Sequence, residues 1–191
     1  MATKATTEQT GYKRALFMGY TPKQLNPDDP YGVRDSSELK KLIGWSRNFC
    51  KSLYDKKGTT EFVTSGAPGI DQLVFLAVEE LKREYPEIGF KNILMAPYEN
   101  QDLLWTWRDG IFNSDFYRKS ILPNADEVHY HTSNVDVNAK PRDVREYYST
   151  NRMAQHANAT NQSDYVVSWT SPDILNVHDS MLFKQMMQAA S

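Results

Sequence analysis

Short apolar runs alternate along this chain with longer stretches in which apolar residues recur every three or four positions. The first pattern reads as a buried strand and the second as an amphipathic helix. Ala15-Leu16-Phe17-Met18, ending at Gly19 with Tyr20-Thr21-Pro22 behind it, predicts a strand and a turn. Asn26 to Gly32 holds two prolines and a glycine, which break both periods and leave a loop. Asp35 or Ser36 then offers an N-cap for a helix whose apolar face is Leu39, Leu42, Ile43, Phe49, Cys50 and Leu53, and Lys56-Lys57-Gly58 stops it. Glu61 to Ser65 is a second strand, closed by Gly66. The most regular helix follows, with Ile70, Leu73, Val74, Ala77, Leu81 and Tyr85 as its stripe and Pro86 as its end.

Phe90 to Tyr98 predicts a third strand, and Asn100 to about Ile121 has a mostly helical pattern, weakened at Gly110. Glu127 to Thr132 is a fourth strand. A polar loop, Ser133 to about Asp143, precedes a helix near Val144 to Asn161. Tyr165 to Trp169 is a fifth strand, and a last helix capped by Asp179 or Ser180 carries Met181, Leu182, Met186 and Ala189. Strand and helix alternating five times predict an α/β fold, with a mostly parallel five-stranded sheet between two helical layers. The strands lack clean alternation, which agrees with a sheet covered on both faces. Ligands of such sheets bind beyond the carboxyl ends of the strands. Attention therefore falls on the turns at Gly19, Gly66, Pro97, Thr132 and Trp169.

The length of 191 residues fits one domain, expected over residues 13–191 behind a flexible tail of residues 1–12 that is polar and Thr-rich. A chain of this size buries roughly 70% of its unfolded surface, enough for a self-sufficient core. Mean hydropathy is −0.64, and no apolar run approaches the length of a membrane span. The tail lacks the apolar core of a secretion signal, so the chain reads as cytoplasmic. Lys and Arg number 22 and Asp and Glu 24, a net charge of −2 that lacks the footprint of a duplex nucleic-acid binder. The single cysteine, Cys50, can form neither an internal disulfide nor a Cys-based zinc site. It lies on an apolar helix face and reads as a structural thiol.

The segment that carries chemistry is Thr64-Ser65-Gly66-Ala67-Pro68-Gly69-Ile70-Asp71. Its glycines permit a tight turn and close approach of a ligand, and the amides opening the next helix suit an anion such as phosphate. Asp71 in the first helical turn could hold a ribose hydroxyl, act as a base, or merely complement the helix dipole. The loop is neither a Walker motif nor the Gly-x-Gly-x-x-Gly dinucleotide fingerprint.

The series of motifs resembles the YpsA-like branch of the SLOG superfamily. Leu16-Phe17-Met18-Gly19-Tyr20-Thr21-Pro22-Lys23-Gln24-Leu25 is similar to its opening strand and Gly-Tyr/His-Arg/Lys-Pro turn. The Gly66 loop is similar to its Ser/Gly-Gly-x-x-Gly-Val/Ile-Asp/Glu loop. Ala77-x-x-x-Leu81 with Tyr85-Pro86 is similar too, as are Ala96-Pro97-Tyr98-x-x-Gln101, Ala125-Asp126-x-Val128 and Ser163-Asp164-Tyr165-Val166-Val167. The resemblance runs from about Leu16 to Trp169. It implies a Rossmann-like fold and a nucleotide-type ligand near the two glycine turns. Relatives in the wider superfamily include Lonely Guy phosphoribohydrolases, sensor domains for nucleotide-derived signals, and DprA-type proteins that bind single-stranded DNA.

Three departures stand out. The Pro-Gly-Gly-x-Gly-Thr-x-x-Glu of the phosphoribohydrolases is absent, which counts against glycosidic cleavage. The family's Arg-Asn helix position falls near His156, whereas Asn151-Arg152 lies about a turn and a half earlier. The sixth strand with its Gly-Gly-Thr turn is also missing.

Other candidates compete with plainer roles. His129-x-His131 on a strand puts two rings on one face, where a surface stripe is the commoner outcome than a metal site, so no metal is expected. Leu104, Trp107 and Ile111 form a core stripe, which makes Trp105 the more exposed indole and the better ligand contact, with Gln101 or Arg108 to read a base edge or a phosphate. Tyr20 and Trp169 can stack on a ligand ring or simply pack. Arg142 and Arg145 read as solvated charges. Met181, Met186 and Met187 could serve an oligomer interface or the chain's own core.

The function expected is binding of a nucleotide or nucleotide-derived signal by a sensor or sequestering protein that forms a homo-oligomer and needs no cofactor. Gly19, Tyr20, Gly66, Ala67, Gly69, Asp71, Gln101, Trp105 and Trp169 would form the site. The alternative is a hydrolase of an N-glycosidic or phosphate bond with Asp71 as acid or base. Single-strand binding ranks last, because no aromatic and basic stripe is present.

Overall fold

The computed structural model describes residues 13–19, 21, 36–105, 112–132 and 158–169. Five strands form one sheet: β1 (Arg14–Gly19), β2 (Glu61–Thr64), β3 (Lys91–Tyr98), β4 (Glu127–Thr132) and β5 (Tyr165–Trp169). Their order is β4-β3-β2-β1-β5, and every neighbouring pair is parallel. Helix α1 (Ser36–Lys57) joins β1 to β2, and helix α2 (Ile70–Glu84) joins β2 to β3.

The order explains the layers. From β1 to β4 each crossover steps to the next strand in the same direction, so right-handed connections lie on one face. Side-chain alternation agrees. Ala15, Phe17 and Phe62 point to a core shared with Cys50 of α1 and Leu73, Val74 and Leu81 of α2. Leu94 joins Phe75, Tyr117 and Ile121 in a second cluster. Leu16, Met18, Val63, Ile93 and Met95 point the other way and meet Ala159 in the helical turn over residues 158–161, together with Val166. The described end of the connection from β4 to β5 thus lies on the opposite face. The direction of winding reverses between β1 and β5, where Gly19 pairs with Trp169 at the carboxyl edge.

Local signals end the helices where the pattern predicts. Gly58, at φ +76°, donates its N–H to Tyr54 O at 2.8 Å and closes α1 behind Lys56 and Lys57. Tyr85 N donates to Leu81 O at 2.8 Å before Pro86. At the start of β4, Asp126 Oδ2 accepts from Asn92 N and from Lys82 Nζ, both at 2.8 Å. Asn92 Nδ2 in turn donates to Phe75 O at 3.0 Å and Glu79 Oε1 at 2.9 Å. One carboxylate and one amide thereby fix the edge strand to α2.

One element is more varied than its sequence pattern. Among the described residues the stretch from Asn100 to Ile121 is helical in turns of different kinds. A 3₁₀ turn, Gln101–Leu104, stops at Trp105, whose ψ of 139° is extended. Ser114–Phe116 forms one α-turn, capped by the Asn113 side chain accepting from Phe116 N at 2.7 Å. It runs on as a π-turn, Tyr117–Ile121, and a 3₁₀ turn, Leu122–Asn124. The tail at 1–12, the loop after Tyr20, the helix near 144–157 and the last helix after Asp179 lie outside the described residues. No helix among the described residues is long and apolar enough to cross a membrane.

Candidate functional site

At the carboxyl end of β2 the chain turns into α2 through Ser65 to Gly69. Gly66 has φ +71° and Gly69 φ +107°, both in the region that favours glycine. Gly69 is the N-cap of α2 and supplies no side-chain cap, so the first amides of the helix gain no partner from the capping side chain. Asp71 adds an acidic group to that first turn.

The loop is braced from inside. Buried Asp71 accepts through Oδ2 from Ser65 N at 2.9 Å and from Ser65 Oγ at 2.5 Å. Ser65 Oγ also accepts from Ala67 N at 3.3 Å. Gln72 Nε2 donates to Gly66 O at 3.0 Å. Gln101, buried at the start of its 3₁₀ turn, donates through Nε2 to Ser65 O at 2.8 Å and to Tyr117 Oη at 3.3 Å. Tyr117 is buried, and that burial pushes its phenol up to about 12. Its ring closes over Gly66: a Cβ there would stand 2.9 Å from Tyr117 Cε2 and 3.3 Å from Leu94 Cδ2. The missing side chain of Gly66 therefore makes room for Tyr117.

Trp105 is half-buried and packs edge-on against Tyr117, with ring centroids 5.1 Å apart and planes at 74°. Its Nε1 is buried without a hydrogen-bond partner among the described residues, as are Thr64 Oγ1 and Gln72 Oε1. Such atoms call for an explanation in a folded protein. Trp105 and Gln72 flank the loop through Tyr117 and Gly66, so a donor and an acceptor stand beside it unfilled.

Gly66, Ala67, Asp71, Gln101 and Trp105 thus form one connected network around the loop. Gly69 opens the helix beside them, and Gly19 ends the neighbouring strand β1, next to Trp169. Tyr20, Trp107, Arg108, Arg142, Arg145, Asn151 and His156 lie outside the described residues, and of Trp169 only the backbone is described. Ser65, Gln72 and Tyr117 were missed as participants. Ser65 and Gln72 stand in or beside the glycine motif, but nothing in the spacing signals that Tyr117 folds back onto Gly66.

A second group missed in the sequence lies one residue on. Asp102, with a fully buried side chain, binds Arg118 through Nε at 2.6 Å and Nη2 at 3.0 Å, and it accepts from Ser114 Oγ. His129 and His131 are exposed on β4, and His129 Nε2 lies 3.2 Å from Glu127. No cluster of three metal-ligating side chains occurs among the described residues. Cys50 is fully buried, and desolvation pushes its thiol up, away from the range of a nucleophile.

Residues 15–147 match the YpsA model, described as the YspA SLOG family. The chain belongs to the SLOG family. The matched stretch takes in β1 to β4 and the whole braced loop, while β5 lies beyond it. A search of the curated proteins finds no match. Within this SLOG chain, the motif similarity at the opening strand, the glycine loop and Gln101 converges on one end of the sheet.

Proposed function

We propose that this SLOG chain binds a nucleotide or nucleotide-derived signalling molecule at the carboxyl edge of β1, β2 and β5, as a cytoplasmic sensor or sequestering protein. The observation that carries the reading is the glycine-capped start of α2, which stands beside the point where the sheet reverses its winding. Backbone amides at Gly69 and the first turn of α2 would face the phosphate, with the Ala67 amide joining them on exchanging its 3.3 Å contact to Ser65 Oγ for the ligand. Gly19, Tyr20 and Trp169 would shape the pocket for the base. The buried Trp105 Nε1 and Gln72 Oε1 support a polar guest or ordered water near the loop.

Catalysis by Asp71 is the weaker reading. Its Oδ2 already accepts two hydrogen bonds from Ser65, which suits a carboxylate that holds a loop in shape. Binding in the absence of turnover is therefore expected.

Native mass spectrometry of the purified protein should reveal a retained small molecule, and saturating nucleotide should raise the melting temperature. A panel of mono-, di- and cyclic nucleotides that leaves the melting temperature unmoved overturns the proposal. Ala67→Asp puts a negative charge at the start of α2 on a half-buried position. It should abolish the ligand-induced shift while leaving the unliganded melting temperature close to that of the parent. Chromatography of the same mixtures decides between the two readings, since nucleotides that emerge cleaved make the protein a hydrolase.

A further inference from the structure

Two side-chain amides are committed to the carbonyls of the glycine loop. Gln101 Nε2 donates to Ser65 O at 2.8 Å, and Gln72 Nε2 donates to Gly66 O at 3.0 Å. A carbonyl only accepts, so this chemistry fixes which end of each amide faces the loop. Gln101 is 1% exposed and Gln72 0%, so both carbonyls are drawn toward the interior. A planar trans peptide holds its N–H antiparallel to its C=O. Gly66 N–H must then point away from Gln101, and Ala67 N–H away from Gln72.

Neither amide so directed is committed to the fold. Gly66 N–H makes no hydrogen bond among the described residues. Ala67 N–H, on a half-buried residue, has only its 3.3 Å contact to Ser65 Oγ, and that hydroxyl keeps Asp71 as a partner if the contact is given up. Glycine would allow the opposite arrangement. Turning over the Ser65–Gly66 peptide changes only ψ of Ser65 and φ of Gly66, and it carries Gly66 out of its positive φ into a region that glycine occupies as readily. The turned-over peptide would present the Ser65 carbonyl where an anion needs a donor. Gln101 stands against this, and Tyr117 Oη, accepting from the same Nε2 at 3.3 Å, keeps that amide aligned.

We propose that Gln101 and Gln72 are positioning residues, which hold the Ser65 and Gly66 carbonyls inward and so preset the Gly66 and Ala67 amides as donors to an anion. This rests on the reading of the glycine loop as the phosphate side of a nucleotide site. Both glutamines act through the loop carbonyls rather than on the ligand. A loop free to turn over is competent for only part of the time, and its affinity falls by that fraction.

Nuclear magnetic resonance of the full chain, titrated with inorganic phosphate, reads these amides directly. In the parent, the Gly66 and Ala67 amide signals should move together toward one saturation point. Gln101→Met keeps much of the length and bulk of the side chain and removes its donors. It should raise the dissociation constant for phosphate about 10-fold and abolish the Gly66 response. Gln72→Met should do the same at Ala67. Asn92→Leu controls for lost stability, since it removes an equally buried amide at the amino end of β3, and its phosphate response should match the parent's. If either methionine variant fails to fold, the other and the parent titration still decide. Methionine variants that bind phosphate as the parent does overturn the proposal, and so does a parent in which the Gly66 and Ala67 amides stay still. The nucleotide panel separates the two readings. Melting temperatures raised alike in the parent and Gln101→Met leave nucleotide binding standing without the orienting role, and a panel without effect removes both.

Discussion

Gly66 and Gly89 share a positive φ, of +71° and +75°, yet they meet different surroundings. An alanine at either position suffers the strain of left-handed backbone, about 1 kcal/mol. Only at Gly66 would the new methyl also collide with Tyr117 and Leu94. Gly66→Ala is therefore expected to cost roughly 2–4 kcal/mol in urea unfolding, against about 1 for Gly89→Ala. Equal losses would show that the Tyr117 contact does not matter. Tyr117 itself carries a pH signature. Burial holds its phenol near 12, above the ordinary value of about 10, so the folded state retains a proton that the unfolded chain gives up first. Its contribution is complete below pH ~10 and declines as pH rises toward about 12. An ultraviolet titration of Tyr117→Phe should lack one tyrosinate's share of the absorbance that the parent gains in that late window. From the sequence, Gly66, Asp71 and Gln101 were legible as residues that come together at one end of the sheet, because loop and motif spacing are local properties. Their brace was not legible, because it depends on a ring sixteen residues beyond Gln101 folding back onto the loop.

At the scale of elements, strands and helices with one unbroken period were readable. The helix at Ser36–Lys57 stops at Gly58, and the helix at Ile70–Glu84 runs from Gly69 to the stop at Tyr85 and Pro86. The span after β3 was readable as mostly helical, but the kind of turn each piece adopts was not, because apolar spacing does not distinguish 3₁₀, α and π hydrogen bonding. Extended backbone at Trp105 ends one turn, and the next stretch adopts π geometry around Tyr117. What ties the two pieces together is the buried Asp102, bound to Ser114 and Arg118. A carboxylate without exposure needs those donors, and they exist only in the folded arrangement. Asp102→Ala should therefore destabilise the protein by about 1–3 kcal/mol and speed amide exchange over residues 114–121. Asp115→Ala removes the neighbouring Asp115–Lys119 pair, where both side chains are about three-quarters exposed, and should leave the melting temperature unchanged. A similar loss from both variants would contradict the tether.

For the whole molecule, the strand order decides where stability resides. β2 has neighbours on both sides and is buried along its entire length, and β1 and β3 are nearly so. β4 is an outer strand with His129, Tyr130 and His131 exposed, and among the described residues its ladder runs along β3 alone. Opening β4 breaks one ladder and exposes little apolar surface, whereas opening β2 breaks two ladders and uncovers both cores. Native-state hydrogen exchange should then rank the amides of β1, β2 and β3 as slowest, opening only with global unfolding, and those of β4 as markedly faster. The ranking has a functional consequence. The glycine loop leaves from the carboxyl end of β2, so its anchor is the most protected strand, while Tyr117 and Gln101, which close over it, belong to the less regular segment after β3. Saturation with a nucleotide that binds at the loop should slow exchange mainly in residues 65–73 and 101–104 and change β2 little. Protection confined to β4 would place the ligand at the opposite side of the sheet from the reversal in winding.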